Sequence, residues 1–212
     1  MDATYKSLKQ RPVFITGGAT GIGEAMVRAF AAQGAHVGFV DIAAAEGQAL
    51  ADELGGARRQ IHFAHCDVTR TEALQAAVGL LAGKCGPFTV LVNNAAHDER
   101  HDWRAVTPAY YDERIAVNLK HQFFAIQAVA PAMIEAGGGS IVNFGSISWM
   151  IPNGGYPVYA TSKAAVHGMT RSLARDLGKS GIRLNIVAPG WVMTKRQLDL
   201  WVDEKGERQM DE

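Results

Sequence analysis

The stretch TGGATGIG, residues 16–23, decides the fold that this sequence predicts. It follows the apolar run PVFIT (12–16) and precedes a helical pattern that begins at residue 21. Gly17, Gly21 and Gly23 permit a tight turn and let a phosphate group approach the backbone closely. A helix N-terminus adds free N–H groups and a positive dipole end. The order strand, glycine-rich turn, helix therefore predicts a site for the pyrophosphate of a dinucleotide, whereas the glycines alone would also fit a plain connector.

Apolar runs and amphipathic stretches alternate along the rest of the chain. Val, Ile and Phe are nearly continuous in the apolar runs, which is typical of strands covered on both faces. The pattern predicts strands at 12–16, 35–40, 60–65, 88–94, 140–145 and 182–188, and helices at 21–33, 43–54, 70–84, 108–136 and 156–180. Thr107 and Pro108 suit the start of the longest helix, as capping hydroxyl and first-turn proline.

Such alternation implies right-handed crossovers and a parallel sheet with helices on both faces. We predict an α/β fold with a doubly wound, Rossmann-like parallel sheet in the strand order 3-2-1-4-5-6. No linker or short internal repeat interrupts the pattern, so residues 1–212 are expected to form one dinucleotide-binding domain.

The composition is that of an ordinary globular protein. The 212 residues include 21 Lys plus Arg and 21 Asp plus Glu, so the net charge of zero offers no support for binding nucleic acid or a membrane surface. The N-terminus lacks an apolar signal core, and no apolar run is long enough to span a bilayer. With only two cysteines, Cys66 and Cys85, we expect reduced thiols and a cytoplasmic protein. The histidines of HDERH (97–101) could hold a metal, but no second ligand motif accompanies them, and we predict none.

Asp41 ends the second predicted strand, where the acidic residue of a dinucleotide fold binds the adenosine ribose hydroxyls. A 2′-phosphate there would meet a carboxylate, and no basic residue lies nearby in the sequence, since Thr20 and Ile42 flank the site. This favours NAD over NADP. The alternative to a role in binding the ribose is that Asp41 is a turn aspartate at a strand end. Asp67 and Val68 end the third strand, where they could reach the adenine.

The segment YATSK (159–163) places a phenol and an ammonium on one face of a helix. A phenol with an unperturbed pKa near ~10 is a poor base at neutral pH, and an adjacent positive charge favours the phenolate. Ser146 ends the preceding strand and could hydrogen-bond a reacting oxygen. Alone, Tyr159 and Lys163 would also fit an ordinary amphipathic helix with a solvated lysine.

Taken together, these motifs resemble those of the short-chain dehydrogenase/reductase family over almost the whole chain. The markers occur in the family's order: TGGATGIG, Asp41, DV at 67–68, NNAA at 93–96, Asn118, Ser146, the Tyr159/Lys163 pair and PGWVMT at 189–194. The resemblance implies Tyr159 as general base, with Lys163 binding the nicotinamide ribose and lowering the pKa of the tyrosine. It also implies that Ser146 steadies the substrate oxygen and that Asn118 holds a water in a proton relay.

The resemblance further implies a set of residues that bind NAD. These are Gly17, Thr20, Gly21, Ile22, Gly23, Asp41, Asp67, Val68, Asn94, Ala95, Tyr159, Lys163, Pro189, Gly190, Val192 and Thr194. Members of the family assemble, often as tetramers, through the helices that correspond to 108–136 and 156–180, so a homo-oligomer is expected. Members usually continue past this C-terminus with a helix and a seventh strand, which are expected to be absent here.

Within the family, four segments resemble those of bacterial NAD-dependent aldose 1-dehydrogenases, in particular those for D-xylose: SLKQRPVFITGG (7–18), HDERHDWRAVTPAYYDERIAVNLKH (97–121), NFGSISWM (143–150) and VMTKRQ (192–197). These oxidise the anomeric carbon of a sugar to a lactone. Polar loops and flat aromatic faces suit a sugar ring, and Asp98 adds to the polarity. The expected substrate-binding residues are His97, Ser148, Trp149, Asn153, Trp191 and Gln197. Two alternatives remain open: a short-chain enzyme for a 3-oxoacyl, steroid or secondary-alcohol substrate, and a non-catalytic nucleotide-binding protein.

Overall fold

Six strands and seven α-helices alternate in the computed structural model, which describes residues 3–55, 60–152 and 154–202. The strands are β1 (Pro12–Thr16), β2 (His36–Asp41), β3 (Ile61–His65), β4 (Val90–Asn93), β5 (Gly139–Phe144) and β6 (Ile182–Val187). The helices are α1 (Gly21–Ala32), α2 (Ala44–Leu54), α3 (Thr71–Cys85), α4 (Pro108–Ile115), α5 (His121–Glu135), α6 (Pro157–Leu177) and α7 (Lys195–Trp201). The short helix α7 was not predicted. The other elements lie within a few residues of the expected bounds, apart from the helix predicted at 108–136.

All six strands belong to one parallel sheet in the order β3-β2-β1-β4-β5-β6. This confirms the predicted fold and strand order. Strands β1 to β3 follow one another toward one edge of the sheet and β4 to β6 toward the other, so the strand order reverses between β1 and β4. At such a point the loops diverge and leave a crevice at the carboxyl ends of the strands. The glycine turn after β1 and the segments after β4 and β5 all lie at this edge.

Each face of the sheet carries its own hydrophobic core. Phe14 packs on the face covered by α3, α5 and α6, whereas Val13 and Ile15 pack on the face covered by α1 and α2. Alternate residues of β1 point to opposite faces, and both sets are fully buried. This explains why the strands are apolar at nearly every position.

The predicted helix 108–136 is instead two helices joined by a π-helical turn, Ala116–Lys120. Its N-terminus is as expected, because the Thr107 hydroxyl accepts from the backbone N–H of Tyr110 at 3.2 Å. The break lies at Asn118, whose side-chain amide donates to the carbonyl of Arg114 at 2.9 Å. That carbonyl would accept the backbone N–H of Asn118 in an α-helix, so the ladder is interrupted there.

Within the described ranges, no helix is both long enough and apolar enough to cross a bilayer.

Candidate active site

Ser146, Tyr159 and Lys163 lie together at the carboxyl edge of the sheet. Ser146 is the second residue after the end of β5, and Tyr159 and Lys163 occupy the start of α6 with one helical turn between them. The side chains of Ser146 and Tyr159 lie near each other and line the same cavity. The Ser146 hydroxyl also accepts from the backbone N–H of Ser148 at 3.1 Å, which fixes its position.

Lys163 is almost completely buried, with 1% of its surface exposed. Its ammonium donates to the carbonyl of Phe144 at 2.8 Å and lies 5.5 Å from the centre of the Tyr159 ring. Burial lowers the pKa of Lys163 to about 8, against an opposing effect of the Asp98 carboxylate. The lysine is therefore held beside the phenol by the end of β5, with its charge poorly compensated.

Burial raises the pKa of Tyr159 to about 12, because the phenolate is more costly than the phenol away from water. The nearby hydroxyl of Ser146 opposes this shift in the pKa, and the charge of Asp98 adds to it. The expectation that Lys163 lowers the pKa of Tyr159 in the enzyme with NAD bound stays a prediction. In the chain alone, desolvation is the largest effect on this pKa, and the ammonium of Lys163 is bonded to the carbonyl oxygen of Phe144.

The glycine turn is closely packed against the end of β4. A Cβ at Gly23 would lie 1.7 Å from the carbonyl oxygen of Gly17, and one at Gly17 would lie 2.7 Å from the Cα of Ala95. The side-chain amide of Asn94 donates to the carbonyls of Gly17 at 2.7 Å and Thr16 at 3.2 Å. Asn94 therefore holds the turn in place, and the small residues leave its outer side open to a phosphate group.

Asp41 ends β2 beside this turn. One carboxylate oxygen accepts from the backbone N–H of Ala19 at 2.9 Å and the other from Ala43 at 3.0 Å. The next residue, Ile42, is 68% exposed and brings no positive charge. The carboxylate is thus fixed at the rim of the crevice, where each oxygen keeps a free lone pair.

The remaining residues predicted to bind NAD are divided between a cavity and the surrounding framework. A cavity of about 150 Å³ next to Ser146, Tyr159 and Lys163 is lined by Ile22, Asn94, Pro189, Gly190, Val192 and Thr194. Thr20 is exposed at the start of α1, while Ala95 is buried. Asp67 accepts from the backbone and hydroxyl of Thr69, and Val68 is buried in the core.

Asn118 is fully buried and does not line this cavity. Its side-chain oxygen accepts from the backbone N–H of His97 at 2.8 Å, and its amide donates to the carbonyls of His97 and Arg114. These bonds use the side chain to join the loop after β4 to the π-helical turn.

A second cleft, of about 360 Å³, meets the first at Ser146 and Tyr159. Of the residues predicted to bind substrate, Ser148, Trp191 and Gln197 line it. His97 turns away to bond Arg114, and the Trp149 ring packs edge-on against His167 at 4.9 Å, so neither lines the cleft. Asn153 lies outside the described residues.

Five further residues line this cleft without having been predicted: Arg100, Ile147, Ile151, Tyr156 and Trp201. Arg100 follows β4 and Trp201 ends α7, so the rule that ligands bind beyond the carboxyl ends of strands would have indicated both segments.

Asp98, noted in the sequence only for its polarity, accepts hydrogen bonds from Arg196 and, at 2.7 Å, from Gln197. Gln197 in turn accepts from the indole N–H of Trp191 at 2.8 Å, so α7 is tied to the loop after β4.

A buried polar network beneath the site also escaped the sequence analysis. The Thr16 hydroxyl accepts from the backbone N–H groups of Asn94 at 3.1 Å and Ala95 at 3.2 Å. With both lone pairs used, its proton points to the Nε2 atom of His121, 3.4 Å away. Burial lowers the pKa of His121 to about 3, so the ring stays neutral and can accept this bond. The network fixes the end of β4 against β1.

A doubly wound sheet with a glycine turn and a Ser–Tyr–Lys group at its carboxyl edge defines a dinucleotide-binding oxidoreductase. Residues 11–205 match the family described as short chain dehydrogenase, and the chain belongs to this family. It is accordingly an oxidoreductase that acts on CH–OH groups.

The relatives include two enzymes named for sugars. The chain is 46% identical to a probable galactose dehydrogenase of Rhizobium meliloti and 48% identical to a D-xylose 1-dehydrogenase of Caulobacter vibrioides. Each alignment covers 98% of this chain and 82% of the relative.

Solved structures agree on the fold. A short-chain dehydrogenase/reductase variant of Serratia marcescens superposes with a TM-score of 0.84 at 36% identity, covering 89% of this chain and 77% of that one. A blue fluorescent protein from a metagenomic library, in complex with NADPH, gives a TM-score of 0.84 at 38% identity with the same coverage of both chains.

Proposed function

We propose that this protein is an NAD-dependent sugar dehydrogenase that oxidises the anomeric carbon of an aldose to a lactone. The observation that carries the proposal is the cleft beyond Ser146 and Tyr159. Its wall combines hydrogen-bonding side chains, such as Asp98 and Gln197, with flat indole faces that suit the C–H surfaces of a sugar ring. The galactose and xylose dehydrogenases among its relatives support the same substrate class.

The residues divide the chemistry among them. Tyr159 takes the proton of the anomeric hydroxyl as general base, and Ser146 donates a hydrogen bond that holds the sugar oxygen against it. NAD, when bound, supplies the hydride acceptor. Lys163 is placed beside the phenol, with one ammonium proton engaged by Phe144 and the others free for the ribose hydroxyls.

The chain's own geometry fits a dinucleotide. The glycine turn is closed to a side chain at Gly17 and Gly23, and a Cβ at Gly21 would come to 3.3 Å from the Thr194 methyl group. The N-terminus of α1 follows this turn and can bind a pyrophosphate. The fixed carboxylate of Asp41 suits the two ribose hydroxyls as acceptor and would repel a 2′-phosphate, which favours NAD over NADP.

We expect Asp41→Ala to narrow the preference for NAD, and the double change Asp41→Ala with Ile42→Arg to shift it toward NADP. The carboxylate would be gone, and an arginine at the exposed position 42 could pair with a 2′-phosphate. Titration of protein fluorescence with both dinucleotides measures the ratio of the two dissociation constants. If the unaltered protein binds NADP as tightly as NAD, the assignment of the cofactor fails.

Initial rates with NAD and a panel of pentoses, hexoses, secondary alcohols, steroids and 3-hydroxyacyl thioesters test the substrate class. The proposal requires aldoses to have the highest kcat/KM in the panel and a lactone as the first product. A higher value for a steroid, an acyl thioester or a simple alcohol would assign the enzyme to another branch of the family.

We also propose that the protein assembles as a homo-oligomer, namely a tetramer. Large apolar side chains are exposed on the outer faces of α4 and α5, among them Tyr111, Phe123 and Ile134. Burial of such faces against copies of the same helices would stabilise an assembly. Sedimentation should therefore show a species of about four times the 22.8 kDa chain mass. A run with the 22.8 kDa species alone would contradict it.

A further inference from the structure

Arg100 lies in the wall of the larger cleft, on the loop between β4 and α4. It is half-buried and lines the same cleft as Ser146 and Tyr159, but it does not line the smaller cavity that contains Lys163. Arg100 therefore lies on the side of Ser146 and Tyr159 that faces away from the glycine turn. A ring whose reacting carbon faces Ser146 and Tyr159 would extend toward Arg100.

Two aromatic rings hold the guanidinium of Arg100. Its central carbon lies 4.6 Å from the centre of the Trp201 ring and 5.8 Å from that of Tyr156. Tyr156 in turn contacts Tyr159 edge-to-face, with 5.9 Å between ring centres. These contacts fix the position of the arginine relative to the general base.

The charge of Arg100 is not matched by a carboxylate in the described part of the chain. Arg196 pairs with Asp98, and Arg114 pairs with Glu99 and Glu113, but Arg100 has only the aromatic faces. Contact with ring faces leaves the N–H groups in the guanidinium plane free. A ligand that fills the cleft can therefore offer acceptors to these donors in place of water.

We infer that Arg100 is a specificity-determining residue, which donates hydrogen bonds to ring hydroxyl oxygens of the sugar remote from the carbon that is oxidised. The inference rests on the proposed function. Two neighbouring hydroxyl oxygens match the spacing of the guanidinium fork. We assign a neutral sugar, the class for which the galactose and xylose dehydrogenases among the relatives are named.

Arg100→Met and Arg100→Lys test this role against the matched control Arg104→Met. Methionine keeps an apolar stem without donors, and lysine keeps the charge but not the fork. Arg104 pairs with Asp102 on the same loop and does not line the cleft. Rates with NAD are measured on D-xylose and 4-deoxy-D-xylose, and cofactor binding is followed by fluorescence.

Both Arg100 variants should raise KM for D-xylose by about 10–100-fold with little change in kcat, the effect of losing binding to hydroxyl groups. NAD binding should match that of Arg104→Met. The unaltered enzyme should discriminate against 4-deoxy-D-xylose by about 10-fold, and the variants should lose most of that discrimination. The ratio of the two sugars is measured within each protein, so a partly unfolded variant does not distort it.

Equal discrimination between the two sugars in the unaltered enzyme and in both variants would overturn the role of Arg100 and leave the proposed function intact. A uronic acid oxidised at least ten times faster than its neutral aldose, with that preference lost in Arg100→Met, would overturn the assignment to hydroxyl groups. Failure of the unaltered enzyme to oxidise any aldose would overturn both proposals.

Discussion

Replacing Tyr159 with phenylalanine should lower the rate of sugar oxidation by about 10²–10⁴-fold, the range for a lost general base. The ring and its edge-to-face contact with Tyr156 would remain, so the fold and the affinity for NAD should change little. Tyr5→Phe serves as the control, since Tyr5 is 59% exposed and outside both cavities. Initial rates and cofactor titrations on the three proteins measure the effect.

The pH dependence of the oxidation rate is a second measurement that tests Tyr159→Phe. A base acts only when deprotonated, so the rate of the unaltered enzyme should rise with pH as the phenol of Tyr159 loses its proton. Burial places the pKa of Tyr159 at about 12 in the chain alone. A positive charge brought into the site favours the phenolate, so the apparent pKa in the rate profile should lie below that value.

The phenylalanine variant should lack this rising limb, whereas Tyr5→Phe should retain it. Turnover by Tyr159→Phe at near the parent rate, or an unchanged limb, would show that another group is the base.

Gly23→Ala should abolish measurable dinucleotide binding and lower the free energy of unfolding by about 3 kcal/mol, the upper part of the range for overpacking. The added methyl group would lie 1.7 Å from the carbonyl oxygen of Gly17, so the turn would have to open. Gly17 is also held by Asn94 at 2.7 Å, which resists that movement. The phosphate site and the packing of α1 on β1 would be disrupted together.

Gly79→Ala is the matched control. Gly79 lies within α3, and a Cβ there would meet no other atom within 4 Å. Because alanine has the higher helix propensity, this change should raise the free energy of unfolding by about 0.5–1 kcal/mol and leave cofactor binding unchanged. Urea denaturation and fluorescence titration compare the two variants. Normal affinity for NAD in Gly23→Ala would contradict the role given to the turn.

Several features of the protein could be predicted from the sequence because they depend on local patterns. The apolar runs and their spacing determine strands and helices, and their alternation allows few arrangements besides a doubly wound sheet. The glycine turn and the Tyr159/Lys163 pair each lie within one short segment, so spacing alone indicated a phosphate site and a shared helix face. The order of the remaining markers then indicated the family.

Other features depend on contacts between distant segments and were decided only by the tertiary structure. The cleft is lined by Asp98 and Gln197, which are 99 residues apart, and by Arg100, which contacts Tyr156 and Trp201. The path of each loop determines these meetings, and so it turned His97 and Trp149 away from the cleft. The pKa of Tyr159 belongs here too, because burial by the surrounding residues raises it although a lysine lies one turn away. Periodicity specifies which face of an element is buried, whereas burial and charge at a site are sums over every segment that converges there.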